Sequence, residues 1–338
     1  MLKVAINGFG RIGRSAFKVA LDHHKNEVVI VGINDLTDAA TLAHLLKYDT
    51  AYGVYDKKVS SSGNNIEVGS KKYQIFSEKE PANLPWRELG VDVVIESTGF
   101  FTNKEGSMGH IKVGAKRVVI SAPAKGGDIG TYLIGVNAEK DDGSEQIINN
   151  ASCTTNCIAP VAAVMHAKFG VAKALMTTVH SYTADQNLQD GPHKDLRRAR
   201  AAAENIVPTT TGAAIATTEA IPELKGLFDG AAIRVPTPVG SISDFTFLLK
   251  KKVTTEEVNK AFEEASANPV YKGVLAVTEE PLVSSDIVGR TESSIVDLSL
   301  TQVVDGDLVK VFAWYDNEIG YSHRLIEQVI RAGKQIKG

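Results

Sequence analysis

The sequence predicts an α/β fold class in two parts: a doubly wound, mainly parallel sheet, followed by an α+β domain built on a mainly antiparallel sheet. Three observations predict it. At 338 residues the chain exceeds what one core usually supports, so two domains of about 150 residues each are expected. The first half alternates short apolar runs with helical or loop-like stretches. After Ser152, longer runs with period-two alternation take over.

In order, residues 2–7 read as a strand, followed by a glycine turn, a helix over about 11–24 and a second strand over 27–33. Apolar runs at 91–97, 117–121 and 132–134 continue the alternation. A helical stretch carries Ile158, Val161 and Met165 and stops near Gly170; Pro160 inside it is expected to bend it. Residues 174–179 read as a strand, and a polar loop runs from Ser181 to about Gly212. Strands are expected at 231–239, 243–252 and 294–304, the last turning through Asp305-Gly306-Asp307 into a partner at 308–315. The tail, residues 320–336, places Leu325, Ile326, Val329 and Ile330 at helical spacing, with one face packed on a domain.

Composition excludes several function classes. With 43% hydrophobic and 23% charged residues the chain is globular, and a net charge of -3 gives no general attraction to nucleic acid or anionic lipid. No apolar run reaches the roughly 18 residues that span a bilayer, and the first residues lack signal-peptide character, so a cytoplasmic protein is expected. Cys153 and Cys157 are too few and too close for a disulfide framework or a zinc site, so no metal is expected.

Gly8-Phe9-Gly10-Arg11-Ile12-Gly13 fits G-x-G-x-x-G between a strand and a helix, and Asp35 ends the second strand about 20 residues beyond the last glycine. Glycines let the backbone approach a pyrophosphate at a helix N-terminus, and Asp35 would accept from a ribose diol while repelling a 2′-phosphate. The alternative is a tight turn with a surface aspartate. The Rossmann reading makes the first domain an NAD-binding one.

Cys153 follows Ser152, a candidate N-cap, so it should stand in the first helical turn, where the dipole favours thiolate. His180 ends a strand, placed to pair with that thiol and exchange protons, although spacing alone does not bring the two together. Cys157 is expected to be structural. Lys194, Arg197, Arg198 and Arg200 crowd the long loop; a solvated or subunit-facing surface is the bland reading for most, with one or two holding phosphate. Arg234 interrupts an apolar strand and needs an anionic partner, either a protein carboxylate or a substrate phosphate, with Thr183, Thr211 and Gly212 available to complete such sites.

These residues carry a resemblance. The opening 7–14, the segment 151–157 around Cys153 and the segment 314–318 (Trp314-Tyr315-Asp316-Asn317-Glu318) resemble the glyceraldehyde-3-phosphate dehydrogenases, and the likeness covers essentially the whole chain. It implies that Cys153 is the nucleophile and His180 its activator. It further implies that Ser152, Thr154, Thr183, Arg198, Thr211, Gly212 and Arg234 bind substrate phosphate and inorganic phosphate. Gly8, Gly10, Arg11, Ile12, Gly13, Asp35, Lys79, Ser121 and Asn317 then bind NAD.

The resemblance also implies a homotetramer with the long loop at a subunit interface. Expected boundaries are 1–151 for the NAD-binding domain, joined by a C-terminal helix over about 318–338, and 152–317 for the catalytic domain. The expected reaction oxidises glyceraldehyde 3-phosphate with NAD and inorganic phosphate to 1,3-bisphosphoglycerate through a thioester. The alternatives are an erythrose-4-phosphate dehydrogenase and a non-catalytic redox-sensing or binding protein.

Overall fold

The computed structural model describes residues 1–126 and 128–336. The chain forms two units: residues 1–133, 138–151 and 322–338 make the first, and residues 134–137 and 152–321 the second.

The first unit is built on a sheet of nine strands among the described residues. Its order is Gly130–Thr131, Ile147–Asn149, Arg117–Ile120, Val93–Glu96, Leu2–Asn7, Val28–Asn34, Lys71–Phe76, Asn65–Val68 and Val59–Ser62. Pairing is parallel from the first of these strands to Lys71–Phe76, and the last three form antiparallel hairpins. Strands Leu2–Asn7, Val93–Glu96 and Arg117–Ile120 are almost entirely buried at their C-terminal ends, as expected where helices cover both faces. The expected strand at 132–134 is displaced to Gly130–Thr131, and three-residue Ile147–Asn149, too short to show a period, lies between it and Arg117–Ile120.

The C-terminal helix Ile319–Lys334 contributes its residues from Ser322 onward to this unit. Leu325, Ile326 and Val329 are fully buried. Arg117, itself buried, donates to Asp141 and to the carbonyl of Ala332, so the strand and the helix share one charged anchor.

In the second unit the strand order is Val207–Thr210, Phe228–Val235, Val171–Ser181, Ser241–Leu249, Leu308–Tyr315, Ser294–Asp297 and Leu275–Thr278, with Gln302–Val304 also paired to Leu308–Tyr315. Most pairs are antiparallel; Val171–Ser181 with Phe228–Val235 and Leu275–Thr278 with Ser294–Asp297 are parallel. The single strand expected over 294–304 is broken by a 3₁₀ turn, Leu298–Leu300, whereas the hairpin through Asp305 and Gly306 is present with both residues at positive φ. The helix Cys153–Phe169 runs through Pro160 without a break. Cys157, fully buried on this helix, places its Sγ 3.8 Å from the Ser294 hydroxyl and 3.8 Å from the Ala313 carbonyl, both on strands of the sheet.

Candidate active site

In the first unit the three glycines of the turn have different physical reasons. Gly8 has φ +93°, and a Cβ there would lie 2.7 Å from the backbone of Ser97 and Thr98; a Cβ on Gly13 would lie 2.1 Å from the Gly8 carbonyl oxygen. Only bare backbone fits either place. A Cβ on Gly10 would meet nothing within 4 Å, so the middle glycine leaves an open approach to the helix Arg11–His23, whose N-terminus has no side-chain cap. Free N–H groups and the helix dipole make that approach suited to an anion.

A cleft of about 470 Å³ opens there, lined in part by Gly8, Gly10, Asp35, Lys79, Thr98 and Phe100. One Asp35 carboxylate oxygen accepts the Phe9 N–H at 2.7 Å and the other accepts the Thr37 N–H at 2.9 Å, which fixes the carboxylate at the rim of the glycine turn. Arg11 and Ile12 occupy the first helical turn, with the Arg11 guanidinium 3.2 Å from Asp49. Ser121, just past strand Arg117–Ile120, donates its N–H to the Glu96 carbonyl and does not line this cleft. The donor set and the open glycine fit a dinucleotide.

Sequence reasoning passed over what braces the cleft from below. Asn7 donates to Glu96 at 2.6 Å and accepts from Asn34 at 2.7 Å. Trp86 donates its indole N–H to Nδ1 of His110 at 2.9 Å, which leaves the His110 proton on Nε2, 3.1 Å from Glu96. The other Glu96 oxygen accepts the Thr98 N–H at 2.9 Å. Four buried polar side chains thereby satisfy one another across strands. No local pattern announces such a network, because each member comes from a different element.

The chain enters the cysteine helix of the second unit from Ala151, the last residue of the preceding first-unit segment, which has φ +49° although it is not glycine. Ser152 then caps the helix, its hydroxyl accepting the Thr155 N–H at 3.0 Å, and Cys153 is the first helical residue. Strand Val171–Ser181 carries His180 to the same place: Cys153 Sγ and His180 Nε2 are 3.3 Å apart. In the parallel register His180 stands beside Arg234, whose Nη1 lies 2.7 Å from His180 Nδ1 and donates to the Ser181 carbonyl at 2.9 Å. The Ser181 carbonyl is also 2.6 Å from His180 Nδ1. Nδ1 thus faces both an obligate donor, Arg234, and an acceptor, the Ser181 carbonyl: a proton on Nδ1 given to the carbonyl frees the Nε2 lone pair toward the thiol, whereas a bond accepted from Arg234 puts the ring proton on Nε2.

The electrostatics bear on one expectation, that of a Cys153 thiolate. Burial, the largest cause, pushes the Cys153 thiol above its usual range, against the pull of the Arg234 charge and hydrogen bonds from Thr154 and the local backbone. Burial and then Arg234 hold His180 down to about 3. Burial thus pushes both groups toward their uncharged forms, against the helix dipole on which the thiolate expectation rested.

Arg234 and Arg198 part company. Arg198 donates to the Thr209 hydroxyl at 2.9 Å, to the Thr210 carbonyl at 3.1 Å and to Asp185, so loop residues meet its donors. Arg234 forms no ion pair with a carboxylate among the described residues, and its buried Nε has no hydrogen-bond partner. Thr211 Oγ1 accepts the Ala213 N–H at 3.2 Å and Gly212 caps the helix Ala213–Ala220, while Thr183 accepts the Gln186 N–H through its carbonyl. The Thr154 hydroxyl, expected near phosphate, is buried and 2.9 Å from the Tyr315 hydroxyl. Tyr315 also bonds Thr178 at 2.8 Å and sets its ring edge-on to His180; it was visible in the sequence only as part of a motif. Asn317 accepts from the Gly240 N–H at 3.1 Å and the Ser241 hydroxyl at 2.9 Å.

One unit carries a glycine-turn cleft that fits a dinucleotide, and the other a cysteine 3.3 Å from an imidazole that stands beside a guanidinium without a carboxylate partner. Residues 2–104 match the glyceraldehyde 3-phosphate dehydrogenase NAD binding domain, and residues 152–317 match the glyceraldehyde 3-phosphate dehydrogenase C-terminal domain. Similar proteins include the glyceraldehyde-3-phosphate dehydrogenase of Geobacillus stearothermophilus, 56% identical over 327 residues and 96% of each chain. That of Streptomyces coelicolor is 54% identical over 336 residues and 99% of each chain. Glyceraldehyde-3-phosphate dehydrogenase 1 of Bacillus cereus is 54% identical over 97% of each. The chain belongs to the glyceraldehyde-3-phosphate dehydrogenase family, and its cofactor is NAD.

Proposed function

We propose that this chain catalyses the phosphorylating oxidation of glyceraldehyde 3-phosphate to 1,3-bisphosphoglycerate in glycolysis, with Cys153 as nucleophile and His180 as proton carrier. The 3.3 Å approach of Cys153 Sγ to His180 Nε2 carries the reading. When bound, NAD+ supplies the hydride acceptor. Everything else falls to side chains.

Cys153 attacks the aldehyde carbon; its proton passes to Nε2 of His180 and on to the former carbonyl oxygen, giving a thiohemiacetal and a neutral imidazole. His180 takes that hydroxyl proton as the hydride leaves, and a thioester remains. Inorganic phosphate attacks the acyl carbon and the C–S bond breaks. The departing sulfur recovers the proton from His180, while the proton of the phosphate goes to solvent. An imidazole held to about 3 suits this work, because it returns each proton instead of resting as imidazolium.

Arg234 is the anchor for an anionic substrate group, on the strength of its unpartnered buried Nε. Ser152, Thr154, Thr183, Arg198, Thr211 and Gly212 are assigned to the phosphate sites, with Thr154 acting through its helix N–H because its hydroxyl faces Tyr315. Gly8, Gly10, Arg11, Ile12, Gly13, Asp35, Lys79, Ser121 and Asn317 are assigned to NAD. The domain assignment is 1–151 with the C-terminal helix, and 152–317.

A cytoplasmic homotetramer is part of the same reading. It is supported by Leu188, Leu196 and Ile206, which the long loop leaves 77%, 80% and 70% exposed, apolar surface that a partner subunit would cover. No helix among the described residues is long and apolar enough to cross a membrane. The test is NADH formation from glyceraldehyde 3-phosphate with and without inorganic phosphate. Turnover should be fast with phosphate and fall to a burst followed by slow hydrolysis without it; steady, undiminished turnover without phosphate or arsenate would refute the phosphorylating assignment.

A further inference from the structure

Away from the dehydrogenase machinery, the first unit gathers three side chains with metal-ligand chemistry. His24 caps the C-terminal end of the helix Arg11–His23, while His323 and Glu327 stand one turn apart on the helix Ile319–Lys334. One ligand atom from each of the three lies within 4.8 Å of the others. His323 is almost fully buried, whereas His24 and Glu327 are partly open to solvent, so an ion has a route in.

Three further contacts bear on the set. His24 Nδ1 is 2.8 Å from a Glu27 carboxylate oxygen, the arrangement that in metal sites fixes the tautomer and presents Nε2 to the ion. Arg324 donates to one oxygen of Glu327, which steadies that carboxylate and leaves its second oxygen for coordination. The His323 ring also packs against that of His23, with centroids 4.9 Å apart.

We infer that His24, His323 and Glu327 form a Zn2+ site whose fourth position is taken by water. Two imidazoles and one carboxylate are ligands of borderline character, which suit Zn2+ and disfavour Mg2+ or Ca2+, whose preferred ligands are all oxygen. Tetrahedral zinc with bonds near 2.1 Å needs ligand atoms about 3.4 Å apart, so the three close on the ion by about an ångström of side-chain rotation. The bound ion would link the end of the glycine-turn helix to the C-terminal helix within the first unit.

The test uses the full-length chain stripped of metal and carrying Cys153→Ser, which removes the thiol as a competing ligand. Competition for Zn2+ against a chromophoric chelator should show one ion per chain, with affinity at least tenfold weaker after adding His323→Gln or Glu327→Gln. Zn2+ should raise the thermal midpoint of Cys153→Ser and leave that of the double variants unmoved. Co2+ in place of Zn2+ should give visible d–d absorption with no thiolate charge-transfer band, and the double variants should lose it. In a wild-type background His323→Gln should keep full dehydrogenase activity, which shows that the chain still folds. If it does not fold, the more exposed His24→Gln takes its place. Failure of the Cys153→Ser chain to bind Zn2+, or binding as tight in folded double variants, overturns the inference.

Discussion

His180 should stay neutral across the working pH range, and acid should reveal it. Its folded pKa lies near 3 against an ordinary value of 6.5, with burial the main cause and the Arg234 charge the second. In the unfolded chain the imidazole takes a proton below pH 6.5; in the folded chain it refuses one until about pH 3. The folded state therefore loses stability as pH falls through that window, and the contribution is intact above it. For these two values the loss between pH 7 and pH 5 comes to about 2 kcal/mol. His180→Asn, which keeps a polar side chain but cannot titrate, should lack that component. Urea unfolding of both proteins at pH 7 and pH 5, followed by circular dichroism, measures it as the difference between their pH dependences. Parallel behaviour of wild type and His180→Asn would refute the depressed imidazole and, with it, the account of His180 as a carrier that does not rest charged.

Cys153→Ser should abolish NADH formation while retaining NAD binding, whereas Cys157→Ser should remain active, because Cys157 is fully enclosed and burial pushes its thiol up to about 12; loss of activity in a folded Cys157→Ser would contradict this. Asp35→Asn keeps an oxygen for the Phe9 N–H and removes only the charge, so the ratio of kcat/KM with NADP to that with NAD should rise about tenfold or more; an unchanged ratio would remove Asp35 from cofactor selection. Arg234→Leu deletes a charge-assisted donor and should raise the apparent KM for the phosphorylated aldehyde at least tenfold, with the thermal midpoint little changed; an unaltered KM would remove Arg234 as the substrate anchor.

What could be read from the sequence divides along physical lines. The glycine turn was legible because its requirements are local: a positive φ at Gly8 and a missing Cβ at Gly13 are properties of a dozen neighbouring residues. Ser152 and Cys153 were legible for the same reason, since a cap and a first turn are local chemistry. Short pieces such as Ile147–Asn149 and the hairpin Val59–Ser62 with Asn65–Val68 were not, because three or four residues hold too little of any period. The meeting of Cys153 with His180 was legible only as a pair of candidates; it depends on the helix Cys153–Phe169 bringing its first residue to the end of strand Val171–Ser181, 27 residues further along. The protonation state lay further still from the sequence. A helix N-terminus favours thiolate through a handful of nearby dipoles, but the desolvation that opposes it is the sum of everything packed around the sulfur, from elements scattered along the chain. Local sequence can therefore nominate a nucleophile and its base, whereas the charge each carries at rest is a tertiary property; the proton shuttle assigned to His180 depends on that tertiary term, since a solvated imidazole at 6.5 beside the same thiol would spend much of its time charged near neutral pH.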